Sequence, residues 1–104
     1  MKHLVVTGAE DDGLDTDVGY QGNIQYVISV QRAGGAVGDS MMEIDSDGNE
    51  ETTPRQRVAV SNFTYIQRNN AASNGAAIRI RGGADYTFAN GLIAVKRLAV
   101  SRVM

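Results

Sequence analysis

The sequence predicts an all-β fold of the solenoid type, with little or no helix. Three observations carry this. Twelve Gly and many β-branched residues work against long helices. Strand-like segments are short and numerous: His3–Thr7, Asn23–Gln31, Ser40–Asp45, Arg57–Gln67, Ala76–Arg81, Asp85–Ala89 and Leu92–Val95. Polar, Gly-rich turns such as RAGGAVGD, DSDGNEETTPRQ and RNNAASNGA separate them. The strongest helical pattern is LIAVKRLAVSRV near the end, and its Val content suits a strand equally.

The order of the segments says more than their existence. GLDTDVGYQGNIQYVISV, MEIDSDGNEETTPRQRVAVSNFTYI and AIRIRGGADYTFANGLIAV each hold a short strand, a turn and a longer apolar strand. Leu14-Asp15-Thr16-Asp17 aligns with Ile44-Asp45-Ser46-Asp47 at a spacing of 30, and Val60-Ser61-Asn62 with Phe88-Ala89-Asn90 at 28. Ile24 precedes Val60 by 36. Several short strands per irregular period point to stacked turns of a solenoid.

Alternation predicts where each longer strand bends. Val58 and Val60 share one parity, Phe63 and Tyr65 the other. Tyr86 and Phe88 share one parity; Gly91, Ile93 and Val95 share the other. A flat strand cannot change parity without turning its core face outward, but a sharp corner can. The changes fall at Asn62 and Asn90, a residue type that tolerates left-handed backbone. Two Asn at matching corners would stack, with Tyr26 in that place one repeat earlier.

These blocks resemble right-handed parallel β-helices of the pectin-lyase-like kind. More narrowly, DDGLDTDVGYQGNIQYVISVQ and the two blocks after it are similar to a segment of large bacterial surface or lipoprotein β-helix proteins. There an acidic DD-G-hydrophobic-D turn precedes an aromatic-Gly turn and a buried strand. The resemblance covers roughly residues 4–95. It implies an all-β, right-handed parallel β-helix of about three coils, residues 1–104 forming one short domain or a piece of a longer solenoid. It also implies an extracellular or cell-surface, polysaccharide-related setting. Each coil buries its apolar face against the next, so open ends expose apolar side chains and unpaired backbone. A homo-oligomer through those ends is expected, with KRLAVSRVM as a segment that could fold over one of them.

Composition excludes several classes. The net charge of −2 and the lack of a Lys/Arg run argue against nucleic acid. No apolar run has the length of a signal peptide core or a membrane span. There is no Cys, hence no disulfide framework. Most acidic residues lie between Glu10 and Glu51 and most basic ones from Arg55 onward, a sign difference that could orient packing between copies.

The chemistry-bearing candidates are mostly carboxylates. Asp11, Asp12, Asp15 and Asp17 are hard oxygen donors on a turn, and Ca²⁺ tolerates irregular oxygen loops. With Leu14 and Thr16 inward, Asp15 and Asp17 point outward, with Asp45 and Asp47 expected beside them in the next repeat. A solvated acidic face is the plainer expectation. Asp45, Asp47 and Asn49 have the first, third and fifth spacing of an EF-hand loop, but Glu50 replaces the turn Gly and Gln56 the bidentate Glu. An EF-hand is therefore excluded, and a looser Ca²⁺ loop is not. His3 is the single histidine, expected to be frayed and solvated. Arg79 and Arg81 share an outward face and are expected beside Asp45 and Asp47 in a salt-bridge ladder. The resemblance adds a sharper role, since in β-helix lyases an Arg near bound Ca²⁺ acts on acidic polysaccharide. Asp15, Asp45 and Arg79 resemble that set. Tyr20, in the VGYQG turn, is the expected aromatic surface contact for carbohydrate, while Tyr26, Tyr65 and Tyr86 fall on strands.

Three functions follow. The first is a non-catalytic, self-associating module that binds calcium or carbohydrate. The second is a calcium-dependent polysaccharide lyase or hydrolase. The third is a purely structural assembly unit.

Overall fold

A computed structural model of the chain describes residues 1–33, 38–68 and 76–95. Seven strands fill them: β1 (Lys2–Thr7), β2 (Leu14–Thr16), β3 (Gln21–Val30), β4 (Met42–Asp45), β5 (Arg57–Gln67), β6 (Ile78–Arg81) and β7 (Asp85–Val95). All pair in parallel, in two sheets: β1-β3-β5-β7 and β2-β4-β6. The chain crosses from one sheet to the other after every strand. Among the described residues there is no helix. Leu92–Val95 belongs to β7, and the rest of the helical pattern and of KRLAVSRVM lies outside the described residues.

The inward columns form the core. Ile24, Val27, Met42, Ile44, Val58, Val60 and Tyr65 are all but inaccessible to solvent. Burying each of the Val and Ile side chains stabilises the fold by about 1.5–3 kcal/mol. Buried polar residues close the turns. Gln31 and Gln67 follow one another at the ends of β3 and β5, and their Nε2 groups donate to Asp39 O and Ala76 O, each at 2.9 Å. The Arg68 N–H donates to Gln31 Oε1 at 2.7 Å. These bonds satisfy backbone groups that the turns would otherwise bury unpaired.

The bends expected from parity are present. His3, Tyr26, Asn62 and Asn90 have φ of 57°, 59°, 54° and 55°. Strand register sets these four corners side by side. Each left-handed L-residue costs about 1–2 kcal/mol, least for Asn. Contacts along the corner column offset this. Asn90 Nδ2 donates to Asn62 Oδ1, and the rings of His3 and Tyr26 stack at 4.9 Å with 15° between planes. His3 is thus not frayed as expected but a corner residue of β1.

One register differs from the sequence alignment. Leu14 pairs with Met42, Asp15 with Glu43 and Thr16 with Ile44, an offset of 28 rather than 30. The same offset joins the preceding turns, where Asp39 N donates to Asp11 O at 2.9 Å. The repeated I/L-D-x-D pattern favoured 30; hydrogen bonding and core packing of Leu14 on Met42 select 28.

Candidate functional site: the acidic face of the three-stranded sheet

β2, β4 and β6 are short, so their outward residues stand close to the turns on either side. The offset of 28 builds this face. It sets Asp15 beside Glu43, Glu43 beside Arg79, and Asp45 beside Arg81. It also brings Asp11 and Asp12 to the turn before β4, where the Ser40 N–H donates to Asp12 Oδ1 at 3.0 Å. Two triads of carboxylates result: Asp11, Asp12 and Asp39, and Asp12, Asp15 and Glu43. In each, one oxygen per residue lies within 4.8 Å of the others.

Asp12 belongs to both. Partial burial pushes its carboxyl up to about 7, with Glu43 and Asp11 adding to the rise and the Ser40 N–H opposing it. Asp15 is raised by desolvation first, then by Asp17 and Asp11. Glu43 is raised by desolvation, then by Asp15 and Asp45. Among the described residues, no cation pairs with Asp11, Asp12 or Asp15.

Beside this cluster the face is neutralised. Arg79 Nη1 lies 3.8 Å from Glu43, and Arg81 pairs with Asp45 and, at 3.9 Å, with Asp47. Burial works against the Asp45 charge, but the Asp47 N–H and the Arg81 guanidinium win and hold its carboxyl below the usual range. The salt-bridge ladder expected of the two arginines is thus met in part: Arg81 reaches Asp45 and Asp47, but Arg79 pairs with Glu43 rather than with Asp45.

The sequence candidates therefore divide. Asp11, Asp12 and Asp15 converge. Asp17 follows β2, and its Oδ1 accepts from the Val18 N–H at 2.7 Å. Asp45, Asp47 and Asn49 form a local turn, in which Asp45 Oδ1 accepts from the Asp47 N–H at 2.8 Å and Asn49 Nδ2 points to Asp47 O at 3.4 Å. They do not surround a common point with Asp15. The lyase-like set is also split: Asp15 faces Glu43, not Asp45, and Arg79 is engaged by Glu43. Gln56, at the EF-hand's final ligand position, is buried and donates toward Thr16 O, Asp45 O and Ser46 Oγ at 3.3–3.4 Å. Tyr20 is half-buried against the core, while Tyr26 and Tyr86 are more exposed.

Sequence reasoning missed Asp39 and Glu43. The signal was available: both stand 28 residues after Asp11 and Asp15, the spacing that already related Val60 to Phe88.

No curated protein and no solved structure matches the chain significantly. A family model, that of the pectate-lyase-like β-helix domain, matches residues 1–101. The all-β architecture of parallel strands in two sheets is consistent with this match, and the chain belongs to the pectate-lyase-like β-helix domain family.

Proposed function

We propose that the chain is a non-catalytic β-helix module that associates with further copies of itself through open strand edges. In this reading the alternation between sheets makes about three right-handed coils. One observation carries it. On β7 the residues that continue the core columns of β5 are exposed: Tyr86 stands beside buried Val58, and Ile93 beside buried Tyr65. Tyr86 is 53% and Ile93 44% accessible. Among the described residues nothing pairs with the outer edge of β7; such an edge beside exposed apolar side chains favours strand addition, and the β1 edge of a second copy would continue the four-stranded sheet. Light scattering tests this. Mass at micromolar concentration should be a multiple of the 11.1 kDa chain. A strict monomer overturns the reading.

The ligand favoured on this module is a hard cation such as Ca²⁺ at Asp12, Asp15 and Glu43, because the three carboxylates lie close together and, among the described residues, Asp12 and Asp15 make no ion pair, while only Glu43 has an arginine, Arg79, at 3.8 Å. A cation would also hold Asp12 ionised at neutral pH. Melting with Ca²⁺ against EDTA should give an upward shift in Tm that Asp15→Asn removes; equal melts would contradict cation binding. The lyase or hydrolase reading is weaker, because Arg79 is engaged by Glu43 and Asp45 by Arg81. It requires polysaccharide turnover that disappears in Asp45→Asn.

A further inference from the structure

The corner column gives the outer face of the four-stranded sheet a second kind of surface. In strand order it runs His3, Tyr26, Asn62, Asn90. Its first two members carry rings, stacked at 4.9 Å with 15° between their planes. That separation matches the spacing of neighbouring strands, about 4.7–4.9 Å, so the rings stack in strand order. The third member is an amide. Asn62 is too short to cover a phenol ring, and its Oδ1 accepts from Asn90 Nδ2. The stack therefore ends at Tyr26 with one ring face bare, and Tyr26 is 46% accessible.

A groove of about 400 Å³ opens at this step, within the about 300–1,000 Å³ of small-molecule sites. His3, Tyr26 and Asn62 form one wall. Val5, Ile28 and Thr64, the next outward column, form the other. Val5 and Ile28 are exposed apolar side chains outside the core. Among the described residues the lining holds no Asp, Glu, Lys or Arg, so a charged ligand finds no partner. Asn62 and Thr64 both lie on β5, where the ring stack stops. With Oδ1 engaged, Asn62 offers Nδ2 as a donor, and the Thr64 hydroxyl donates beside it. Apolar walls, a bare aromatic face and two convergent donors fit a flat ring with an acceptor on its edge.

We propose that this groove binds a small uncharged heteroaromatic ring, stacked on Tyr26, with its acceptor edge toward Asn62 Nδ2 and the Thr64 hydroxyl. Such a ring continues the His3–Tyr26 stack by one strand spacing, over Asn62. The groove faces outward rather than along the strand edges, and lies on the other sheet from the carboxylate triads. Binding there is independent of association between copies and of cations.

The test is an amide chemical-shift titration of the intact chain with nicotinamide. Cyclohexanecarboxamide carries the same amide on a saturated ring and serves as one control. Methyl glucoside, a neutral sugar, serves as the other. Saturable shifts of the Tyr26, Ile28 and Thr64 amides with nicotinamide are expected, with both controls at least fivefold weaker. Tyr26→Asn removes the ring and keeps the corner, since Asn holds the same left-handed backbone in β5 and β7. It should weaken nicotinamide about tenfold, equivalent to about 1.4 kcal/mol. Thr64→Val, which keeps the side-chain shape and removes the hydroxyl, should weaken it about threefold with the remaining spectrum in place. No saturable shift, equal binding of either control, or an unchanged affinity in both variants would each overturn the proposal.

Discussion

Gly82 and Gly48 offer a paired test of how closely the turns stack. Both have left-handed backbone, with φ of +72° and +80°. An Ala Cβ at Gly82 would fall far inside contact distance of the Ser46 carbonyl carbon and oxygen and of the Asp47 nitrogen. These are backbone atoms of the turn after β4, bonded to the next repeat where the Ser46 N–H donates to Arg81 O at 3.1 Å. At Gly48 an added Cβ meets nothing within 4 Å. Gly48→Ala therefore costs only the left-handed penalty, about 1–2 kcal/mol. Gly82→Ala adds overpacking against a backbone that cannot rotate away, a further 1–3 kcal/mol, for a total of about 2–5 kcal/mol. Small domains have about 5–15 kcal/mol in all, so the larger loss would be a substantial fraction of the total. Urea unfolding followed by far-ultraviolet circular dichroism measures both. Equal destabilisation by the two variants would refute the close stacking of the β4 and β6 turns.

Two further outcomes follow from the site and the corners. Asp12 titrates near 7 in the folded chain against about 3.9 unfolded. The folded state therefore keeps a proton that the unfolded state has released, and stability falls as pH rises from about 4 to about 7. Full conversion of the shift would give about 4 kcal/mol, which solvent screening of a half-exposed group reduces to about 1–2 kcal/mol. Asp12→Asn keeps an acceptor for the Ser40 N–H and should remove this loss, so that urea midpoints at pH 5 and pH 8 differ less than in the parent; an unchanged difference would place the titration elsewhere. At the corner, Asn62→Ala should cost about 1–2 kcal/mol through the left-handed penalty and the lost bond to Asn90, and Asn62→Gly less. Equal or inverted losses in thermal melts would show that Asn62 does not hold that backbone.

Much of the fold was legible in the sequence because its signals are local. Strand alternation and its change of parity at Asn62 and Asn90 required only the period of 2 and the backbone tolerance of Asn. The corner at His3 was not legible, since a strand of six residues at the chain start offers too little alternation on its N-terminal side to show a change. β2 was too short to stand out alone, and was visible only as the short strand of its block. The site was less legible than the fold for a physical reason. Its residues come from separate repeats, so their grouping depends on the register between strands of three and four residues. The Asp-x-Asp similarity at 30 competed with the true offset of 28, and two residues of error exchanged Glu43 for Asp45 as the neighbour of Asp15. Chemistry turned on that exchange, because Glu43 closes a carboxylate triad with Asp12 and Asp15, whereas Asp45 is bound to Arg81.

Register between repeats is thus the claim on which both fold and site depend, and it can be read with two thiols. The chain has no Cys, so any introduced pair reports alone. Asp15 and Glu43 are direct neighbours on adjacent parallel strands, within the 4.4–6.8 Å Cα separation a disulfide accepts. Oxidation of the Asp15→Cys, Glu43→Cys double variant should give an intramolecular disulfide rapidly and without loss of the β-sheet spectrum. The Asp15→Cys, Asp45→Cys pair, two residues out of register, should cross-link much more slowly. Faster closure of the second pair would contradict the offset of 28, and with it the assembly of the acidic face.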